Sequence, residues 1–279
     1  MVGEKEKEEL FLRLRWDLPE IFGLIDMDIS LNKLKSKRNS VYAICLRKSL
    51  LNFPEKIVLK LYNTENFKKE TKVLSNLSKQ KINVPDILFF RNPYLLLNKI
   101  EGINLCDFIN ERLLNSKSLE ELKLETRKEL KTSIKSLAEW FAILHSNNIV
   151  EKDYKKVMVL NKGDARLRDF IYDVSTQQIF GTDFEDSYEG NHVDDLAWVC
   201  CSLLDTNPGI FEIEEPIHKM ELINIFLREY YAINTDFQFS FEYFADTIIE
   251  YLNIVISRRN LNIGRIDKKS ILKRIFKTL

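Results

Sequence analysis

The sequence predicts an α+β protein with two lobes. A small N-terminal lobe with an antiparallel sheet and one helix is expected over residues 1–100, and a larger, mainly helical lobe over residues 101–279. The first observation is that β-like apolar runs lie early in the chain, over residues 41–46, 56–62 and 93–100, with a turn at Asn52-Phe53-Pro54. The second is that apolar residues beyond Gly102 recur every three or four positions, which is typical of helices.

One helix is predicted within the strand-rich part, over residues 65–79, with Asn63 or Thr64 as its N-cap. Its apolar stripe contains Phe67, Leu74 and Leu77, and Glu70 lies on the same stripe. An unpaired carboxylate facing a core is costly. The pattern therefore predicts a cation close to Glu70.

The strand before this helix offers such a cation. In the run IVLKLY, strand alternation places Lys60 on one face with Val58 and Tyr62. One interpretation is an ion pair between Lys60 and Glu70 that holds a phosphate-binding cation in place. The other is an edge strand whose lysine discourages aggregation. The residues alone leave both interpretations open.

The larger lobe is predicted to contain several helices. A capping-box pattern at Ser118-Leu119-Glu120-Glu121 suggests the start of a charged amphipathic segment. Helical periodicity or helix-favouring composition then covers residues 133–145, 194–204, 220–231, 241–258 and 268–279. The segment 133–145 is expected to be central to this lobe.

Three aspartates carry most of the chemical information. Asp164 and Asp169 precede a β-like run at 170–172, and Asp183 follows a second run at 179–181. If the two runs form a hairpin, the aspartates emerge at the same end of it. Convergent carboxylates repel one another unless a cation lies between them, and Mg²⁺ suits such a set. The alternative is that these are ordinary turn aspartates.

Composition excludes several other function classes. Lysine plus arginine equals aspartate plus glutamate at 42 each, so nothing supports nucleic-acid binding. No stretch is apolar for the roughly 18 residues that a membrane helix needs, and the charged N-terminus lacks the apolar core of a signal peptide. We therefore expect a cytoplasmic protein that does not associate with a membrane. Four cysteines without CxxC spacing favour free thiols. Three scattered histidines disfavour zinc or a histidine triad, which leaves carboxylates to carry any chemistry.

These features, in this order, resemble the protein-kinase-like superfamily, most closely its branch of aminoglycoside phosphotransferases and choline-kinase-like small kinases. The resemblance runs over about residues 41–204. The stretches that carry it are VLKLY with Lys60, FKKETKVL with Glu70, YLLLNKIEGINL from Tyr94, KGDARLRD with Asp164 and Asp169, DFE with Asp183, and DDLAW with Asp195. The resemblance implies a two-lobed protein-kinase-like fold.

The resemblance also implies how the first lobe would bind a nucleotide. Lys60, positioned by Glu70, would hold the α and β phosphates of ATP. The backbone from Asn98 to Ile100 would face the adenine. The segment expected to cover the phosphates, KSKRNSV, departs from the family pattern because it lacks glycine. Backbone amides with Lys37 or Arg38 could still contact phosphate there.

The second lobe would then supply catalysis. Asp164 would orient the acceptor hydroxyl and take its proton, while Asp183 and Asp169 would carry Mg²⁺. Asp195 would brace the catalytic loop. Two positions depart from the family pattern: Lys162 replaces its histidine, and Asp169 replaces its asparagine.

A rival register makes Asp153 the base, but it puts Met158 where a metal ligand is required. We therefore favour Asp164, with residues 147–161 as an extra loop before the active site. In that loop Lys152, Lys155 and Lys156 would be solvated.

The implied function is ATP- and Mg²⁺-dependent phosphoryl transfer to a hydroxyl. Only 12 positions separate Asp183 from Asp195, too few for a peptide-docking segment, so a small-molecule acceptor is favoured. The acidic residues Glu212, Glu214 and Glu215 would suit a cationic acceptor if they line its pocket, although solvated glutamates are common. Two alternatives remain: a catalytically weak nucleotide-binding scaffold or sensor, and a kinase acting on a protein. Nothing in the sequence indicates an oligomeric state.

Overall fold

The computed structural model describes residues 4–23, 29–36, 38–46, 53–63, 65–114, 116–153, 156–212 and 216–263. The chain divides into two compact units. The first comprises residues 1–78 and 85–100, and the second comprises residues 79–84 and 101–279.

The first unit begins with two helices that the sequence patterns did not predict, α1 (Glu4–Asp17) and α2 (Pro19–Phe22). Their apolar side chains Phe11, Leu14 and Phe22 are almost fully buried in the core of this unit. Pro19 at the first turn of α2 suits that position, because the amide it lacks would have no partner inside the helix. The described part of this unit therefore contains three helices rather than the single one predicted.

A five-stranded antiparallel sheet forms the rest of this unit with one further helix. Its strands are β1 (Ile29–Leu34), β2 (Ser40–Leu46), β3 (Lys56–Leu61), β4 (Ile87–Arg91) and β5 (Tyr94–Asn98), in the order β1-β2-β3-β5-β4. The predicted β-like runs coincide with β2, β3 and β5. The helix α3 (Phe67–Lys79) is also as predicted, with Phe67, Glu70, Leu74 and Leu77 buried on one stripe. Asn52 and Thr64, predicted in a turn and as a helix cap, lie outside the described residues.

The second unit is mainly helical. Its described helices are α4 (Leu105–Leu113), α5 (Leu124–Asn147), α6 (His192–Asp205), α7 (Ile217–Ile233) and α8 (Phe241–Arg259). Four of the predicted helical segments fall inside α5 to α8, and the fifth, 268–279, lies outside the described residues. The capping-box prediction at Ser118 is wrong, because that residue precedes a single 3-10 turn, its side chain makes no capping bond, and α5 begins at Leu124.

Two small antiparallel sheets complete the described part of the second unit. Their strands are β6 (Ile103–Asn104), β7 (Ile149–Lys152), β8 (Val157–Asn161), β9 (Phe170–Asp173), β10 (Gln178–Gly181) and β11 (Tyr188–Asn191), in the orders β10-β9-β6 and β11-β8-β7. The predicted hairpin is β9 with β10. The predicted loop at 147–161 is wrong, because most of it forms the paired strands β7 and β8.

The architecture agrees with the predicted class: α+β, with a small antiparallel sheet in the N-terminal part and a mainly helical C-terminal part. Within the described residues, no helix is long and apolar enough to cross a membrane. Cys200 and Cys201 are buried free thiols on α6, while the free thiols Cys45 and Cys106 are partly exposed.

Candidate active site

An ion pair is buried in the first unit at the positions the sequence indicated. Lys60 Nζ lies 2.6 Å from Glu70 Oε2, and the two side chains are only 8% and 1% exposed. The hydroxyl of Tyr62 also donates to Glu70 Oε2. This tyrosine was not predicted as part of the site. Strand alternation places it on the same face as Lys60, and that was the signal available.

The position of β3 explains why this lysine is buried. The strand pairs with β2 on one side and β5 on the other, so it is a central strand. The edge-strand interpretation of Lys60 is therefore wrong. A charged lysine in a central strand requires a partner, and Glu70 from α3 supplies one.

Asn98 and Ile100 lie at the end of β5, where the adenine-facing backbone was predicted. The backbone amide of Asn98 donates to the carbonyl of Asp86 over 3.0 Å, and its side-chain Oδ1 accepts from the Asp86 amide over 2.6 Å. The amide of Lys99 donates to the Lys56 carbonyl. Ile100 follows as a partly buried residue outside the strand. Lys37, a predicted phosphate contact, lies outside the described residues, whereas Arg38 is described and its carbonyl accepts from Asn63 Nδ2.

In the second unit, Asp195 on α6 anchors the loop that carries Asp164. Its carboxylate accepts a hydrogen bond from the amide of Lys162 over 2.6 Å and another from the amide of Gly163 over 3.0 Å. The Asp195 side chain is fully buried, so both bonds are made away from water. Two such bonds to a charged acceptor fix the backbone immediately before Asp164.

His145 at the end of α5 continues this network and was not predicted to belong to the site. Its Nε2 lies 3.2 Å from Asp195 Oδ2, and its Nδ1 lies 2.8 Å from the hydroxyl of Tyr230 on α7. The three side chains are buried, and together they connect three helices to the loop. The position of His145 four residues after the buried Phe141 was the available signal that it faces the core, but that spacing does not show which group it meets there.

Lys162 occupies the position at which the resembling family has histidine. Its side chain is almost fully buried, and Nζ donates to the backbone carbonyl of Asp183 over 3.0 Å. The ammonium also lies 5.4 and 5.5 Å from the ring centres of Phe170 and Phe184, within cation–π range. The lysine thus links the Asp164 loop to the backbone of the DFE motif.

Gly163 is required by the path of the same loop. Its φ is +91°, and a Cβ at this position would lie 2.3 Å from the carbonyl oxygen of Asp186. Any larger residue would be strained and would collide with backbone. The loop that presents Asp164 is therefore tightly constrained.

Asp164 itself is held by two arginines that were not predicted. Arg166 Nη2 lies 2.9 Å from Asp164 Oδ2, and Arg258 Nη1, from α8, lies 3.6 Å from Oδ1. The Oδ1 atom is buried and accepts no hydrogen bond from the described residues. Arg166 is close in sequence, so its proximity could have been suspected, but the approach of Arg258 depends on the tertiary fold.

Asp169 lies directly before β9, and Asp183 follows β10. Gly181 pairs with Phe170, and the Thr182 amide donates to the Asp169 carbonyl over 2.9 Å, so both aspartates are at the same end of the hairpin, as predicted. Burial raises the pKa of the Asp169 carboxyl, and nearby Lys162 and Arg166 oppose that shift. Arg166 Nε lies 3.3 Å from Asp169 Oδ2, so one guanidinium contacts both Asp164 and Asp169.

Asp183 has a left-handed backbone, with φ +61°, and an exposed side chain. The next residue, Phe184, is fully buried, with its ring 6.2 Å from that of Trp140. Burial of Phe184 fixes the backbone beside Asp183, and the strained φ is a feature that clusters at functional sites. Asp183 and Asp169 provide carboxylate oxygens, the ligand type that Mg²⁺ prefers.

Three other positions named from the sequence have ordinary surroundings. Glu212 accepts from the Gly209 amide over 2.7 Å and pairs with Arg259 at 2.9 Å, while Glu214 and Glu215 lie outside the described residues. Asp153 lies in the turn after β7, where its carboxylate accepts from the Lys156 amide. Lys152 of the same hairpin is exposed to solvent, as predicted, and forms a surface ion pair with Asp236, while Lys155 lies outside the described residues.

Comparison with solved structures identifies the fold. An ADP-bound aminoglycoside phosphotransferase, APH(2'')-Ib, matches with a TM-score of 0.57 and 14% identity over 97% of this chain and 96% of that one. The chain has the fold of an aminoglycoside phosphotransferase. A putative aminoglycoside phosphotransferase from Ralstonia eutropha matches with a TM-score of 0.58 and 13% identity, covering 97% and 94% of the two chains.

A choline kinase from Streptococcus pneumoniae shares the aminoglycoside-phosphotransferase fold as well. It matches with a TM-score of 0.56 and 12% identity, over 99% of this chain and 98% of that one. Comparison with protein-family models and with curated protein sequences gives no match. At these identities the structural likeness establishes the fold, and it confirms the protein-kinase-like fold that the sequence motifs predicted.

Proposed function

We propose that this chain is a phosphotransferase that moves the γ-phosphate of ATP to a hydroxyl of a small molecule. The observation that carries the proposal is the Asp195 carboxylate, which fixes the Lys162 and Gly163 amides and so holds Asp164 in a tight loop. The aminoglycoside-phosphotransferase fold supports the same conclusion. One protein with this fold is an aminoglycoside phosphotransferase bound to ADP, and another is a choline kinase.

In this proposal the first unit binds the nucleotide. Lys60 holds the α and β phosphates, and its pairing with Glu70 and the contact of Tyr62 with Glu70 keep the ammonium in one position. The backbone from Asn98 to Ile100 faces the adenine. The bonds between Asn98 and Asp86 support this role, because they fix the end of β5.

Asp183 and Asp169 would hold Mg²⁺ in the second unit. These residues fit Mg²⁺ because they place two carboxylates at one end of the β9–β10 hairpin, and Mg²⁺ prefers oxygen ligands. The raised pKa of Asp169 reflects burial without full neutralisation, a cost that a bound cation would relieve. When bound, Mg²⁺ neutralises charge on the phosphate oxygens.

Asp164 is the proposed catalytic base. It orients the acceptor hydroxyl and takes its proton as the acceptor oxygen bonds to the γ-phosphorus and the bond from that phosphorus to the ADP oxygen breaks. ADP leaves with the electron pair of that bond. The rival base, Asp153, is bonded within its own turn, and this arrangement favours Asp164.

A small acceptor is supported by the short segment after Asp183. Its residues include β11, which pairs with β8, and then the first turn of α6 up to Asp195. This stretch is built into the fold and leaves little chain for a peptide-docking element. We therefore infer a small-molecule acceptor rather than a protein.

The proposal is tested by ATP turnover over a panel of hydroxylated metabolites, with the Asp164→Asn variant as comparison. The asparagine keeps the size of the side chain but cannot take the proton, so we expect transfer to fall by about 10²-fold or more while nucleotide still binds. Transfer at an unchanged rate in this variant would refute the role of Asp164.

One observation favours the second candidate, a nucleotide-binding scaffold or sensor with weak catalysis. The Arg166 guanidinium pairs with both Asp164 and Asp169. At Asp164 it competes with the hydroxyl of an acceptor for the carboxylate, and at Asp169 it competes with a metal ion. Nucleotide-dependent thermal stabilisation without turnover, equal in wild type and Asp164→Asn, would establish the scaffold instead of the enzyme.

A further inference from the structure

A second cation, besides Arg166, approaches Asp164. Arg258 reaches from α8 to within 3.6 Å of Asp164 Oδ1, a distance that allows electrostatic attraction but not a hydrogen bond. No other ion pair of Arg258 occurs within the described residues, and its side chain is 40% exposed. Its guanidinium donors are therefore available to a ligand beside the proposed base.

Aromatic packing holds this guanidinium in place. Its central carbon lies 5.5 Å from the ring centre of Trp198, a residue of α6 that is only 7% exposed. The opposing ring of Tyr251 stacks on Trp198 with centroids 4.1 Å apart and planes 12° from parallel. A guanidinium restrained by a cation–π contact loses less conformational entropy when it binds a ligand, so this arginine is partly pre-organised for recognition.

Three acidic side chains on or shortly after α6 are already paired within the second unit. Asp194 accepts from the hydroxyls of Tyr188 and Tyr243 at 3.0 and 2.7 Å. Asp205 and Glu212 both pair with Arg259. These carboxylates are consequently poor candidates for binding an ammonium group, and the cationic acceptor that Glu212 suggested at the sequence level is not favoured by its surroundings.

We propose that Arg258 is an acceptor-binding residue and that the acceptor carries a carboxylate or phosphate within a few bonds of the hydroxyl to be phosphorylated. The inference rests on the proposed phosphoryl transfer. A guanidinium binds either anion through paired N–H donors. Its closeness to Asp164 requires the anionic group and the reacting hydroxyl to be near neighbours in the acceptor.

The test compares matched acceptors with the full-length protein and ATP. The anionic probes are hydroxy acids and sugar phosphates, which separate the two sources of negative charge. The neutral probes are the amides of the same hydroxy acids and the unphosphorylated sugars, and choline and an aminoglycoside serve as cationic probes. We expect wild type to prefer the anionic member of a pair by at least about tenfold in kcat/KM.

Arg258→Met keeps an unbranched apolar side chain at this position but removes the charge. We expect it to raise KM for the anionic acceptor by about tenfold or more and to abolish the preference over the neutral analogue, while Arg258→Lys retains part of that preference. Arg259→Met is the matched control on the same helix, because Arg259 pairs with Asp205 and Glu212 instead, and it should leave the preference intact.

Preference for neutral or cationic acceptors in wild type would overturn this inference while leaving phosphoryl transfer established. An anionic preference that persists in Arg258→Met would also overturn it. Nucleotide binding with no transfer to any probe or to extracted metabolites would refute the proposed function, and this inference with it.

Discussion

The Asp195 carboxylate is a buried charge that serves as acceptor for two consecutive amides and lies beside His145. The two amides keep their hydrogen-bond partners only while both side-chain oxygens of residue 195 act as acceptors. The residue therefore has a structural role that can be separated from catalysis by measuring stability as well as rate.

We expect Asp195→Asn to lower the free energy of unfolding by about 1–3 kcal/mol, because an amide nitrogen would face one of the two backbone donors. Phosphoryl transfer should fall as the Asp164 loop loosens. Asp205→Asn, which removes a partly exposed partner of Arg259 on the same helix, is the control and should cost less. Urea denaturation measures both, and equal losses would contradict the bracing role.

His192 gives a pH prediction. Burial is the main cause that lowers its pKa to about 4, with Nδ1 beside the Val157 carbonyl and Nε2 beside the Tyr231 hydroxyl. The folded state thus binds fewer protons than the unfolded state between pH 6.5 and 4. Stability contributed by neutral His192 is complete above pH 6.5 and is lost as the pH falls towards 4, by about 3 kcal/mol in total.

Comparison with His192→Asn isolates this effect, because carboxyls with raised pKa values titrate in the same range with the opposite sign. Urea denaturation from pH 7 to 4.5 should show a steeper loss of stability in wild type than in the variant. Parallel curves would show that His192 does not titrate as described.

At the scale of elements, β3 and α3 are connected by the buried Lys60–Glu70 pair. The sequence alone allowed this pair as one of two interpretations, because each charged residue interrupts an otherwise apolar stripe or strand. The resemblance to the kinase-like family then favoured the pair over a lysine on an edge strand. The hairpin of β9 and β10 was readable because two short β-like runs flank a polar turn. Local patterns of this kind depend only on neighbouring residues.

Glu70→Gln should lower stability by about 3–5 kcal/mol, since it leaves the Lys60 charge buried beside a neutral amide. The double variant Lys60→Met, Glu70→Leu should recover much of this loss without recovering nucleotide binding. Chemical denaturation and nucleotide titration together check the prediction.

The exposed pair of Lys33 and Glu6 in the same unit is the control. Glu6→Gln should have a much smaller effect, because solvent screens that pair. A Glu70→Gln variant as mild as Glu6→Gln would contradict the account of the buried pair.

Other elements were not predicted, for physical reasons. The helix α1 is rich in charged residues, and only some of its apolar residues, such as Phe11 and Leu14, are buried in the core, whereas Leu12 and Trp16 are exposed. A loop was predicted where the β7–β8 hairpin forms, although Val157, Val159 and Asn161 alternate with partly exposed residues. Arg258 reaches Asp164 across 94 positions of chain, and no local pattern encodes that contact.

At the scale of the whole molecule, ligand binding should be visible as a gain in stability. If ATP with Mg²⁺ binds only the folded protein, nucleotide at 100 times its dissociation constant adds about 2.7 kcal/mol to the free energy of unfolding. We expect Asp183→Ala to remove the Mg²⁺-dependent part of this gain, as measured by thermal denaturation with and without Mg²⁺. An unaffected variant would count against Asp183 as a metal ligand.

The motifs that predicted the fold occur in both units, since Lys60 and Glu70 belong to the first, and Asp164, Asp183 and Asp195 to the second. Their order along the chain was sufficient to predict the fold. The surroundings of Asp164 were not predictable in the same way, because Arg258, Trp198 and Tyr251 converge only through helix packing.

The most direct test of the central claim is transfer of label from γ-labelled ATP to a small molecule in a metabolite extract. We predict a new labelled compound with wild type and Mg²⁺, and its loss with Asp164→Asn under conditions where nucleotide still binds. Nucleotide binding with no labelled product, or equal labelling by wild type and Asp164→Asn, would contradict the claim that this chain is a phosphotransferase with Asp164 as its base.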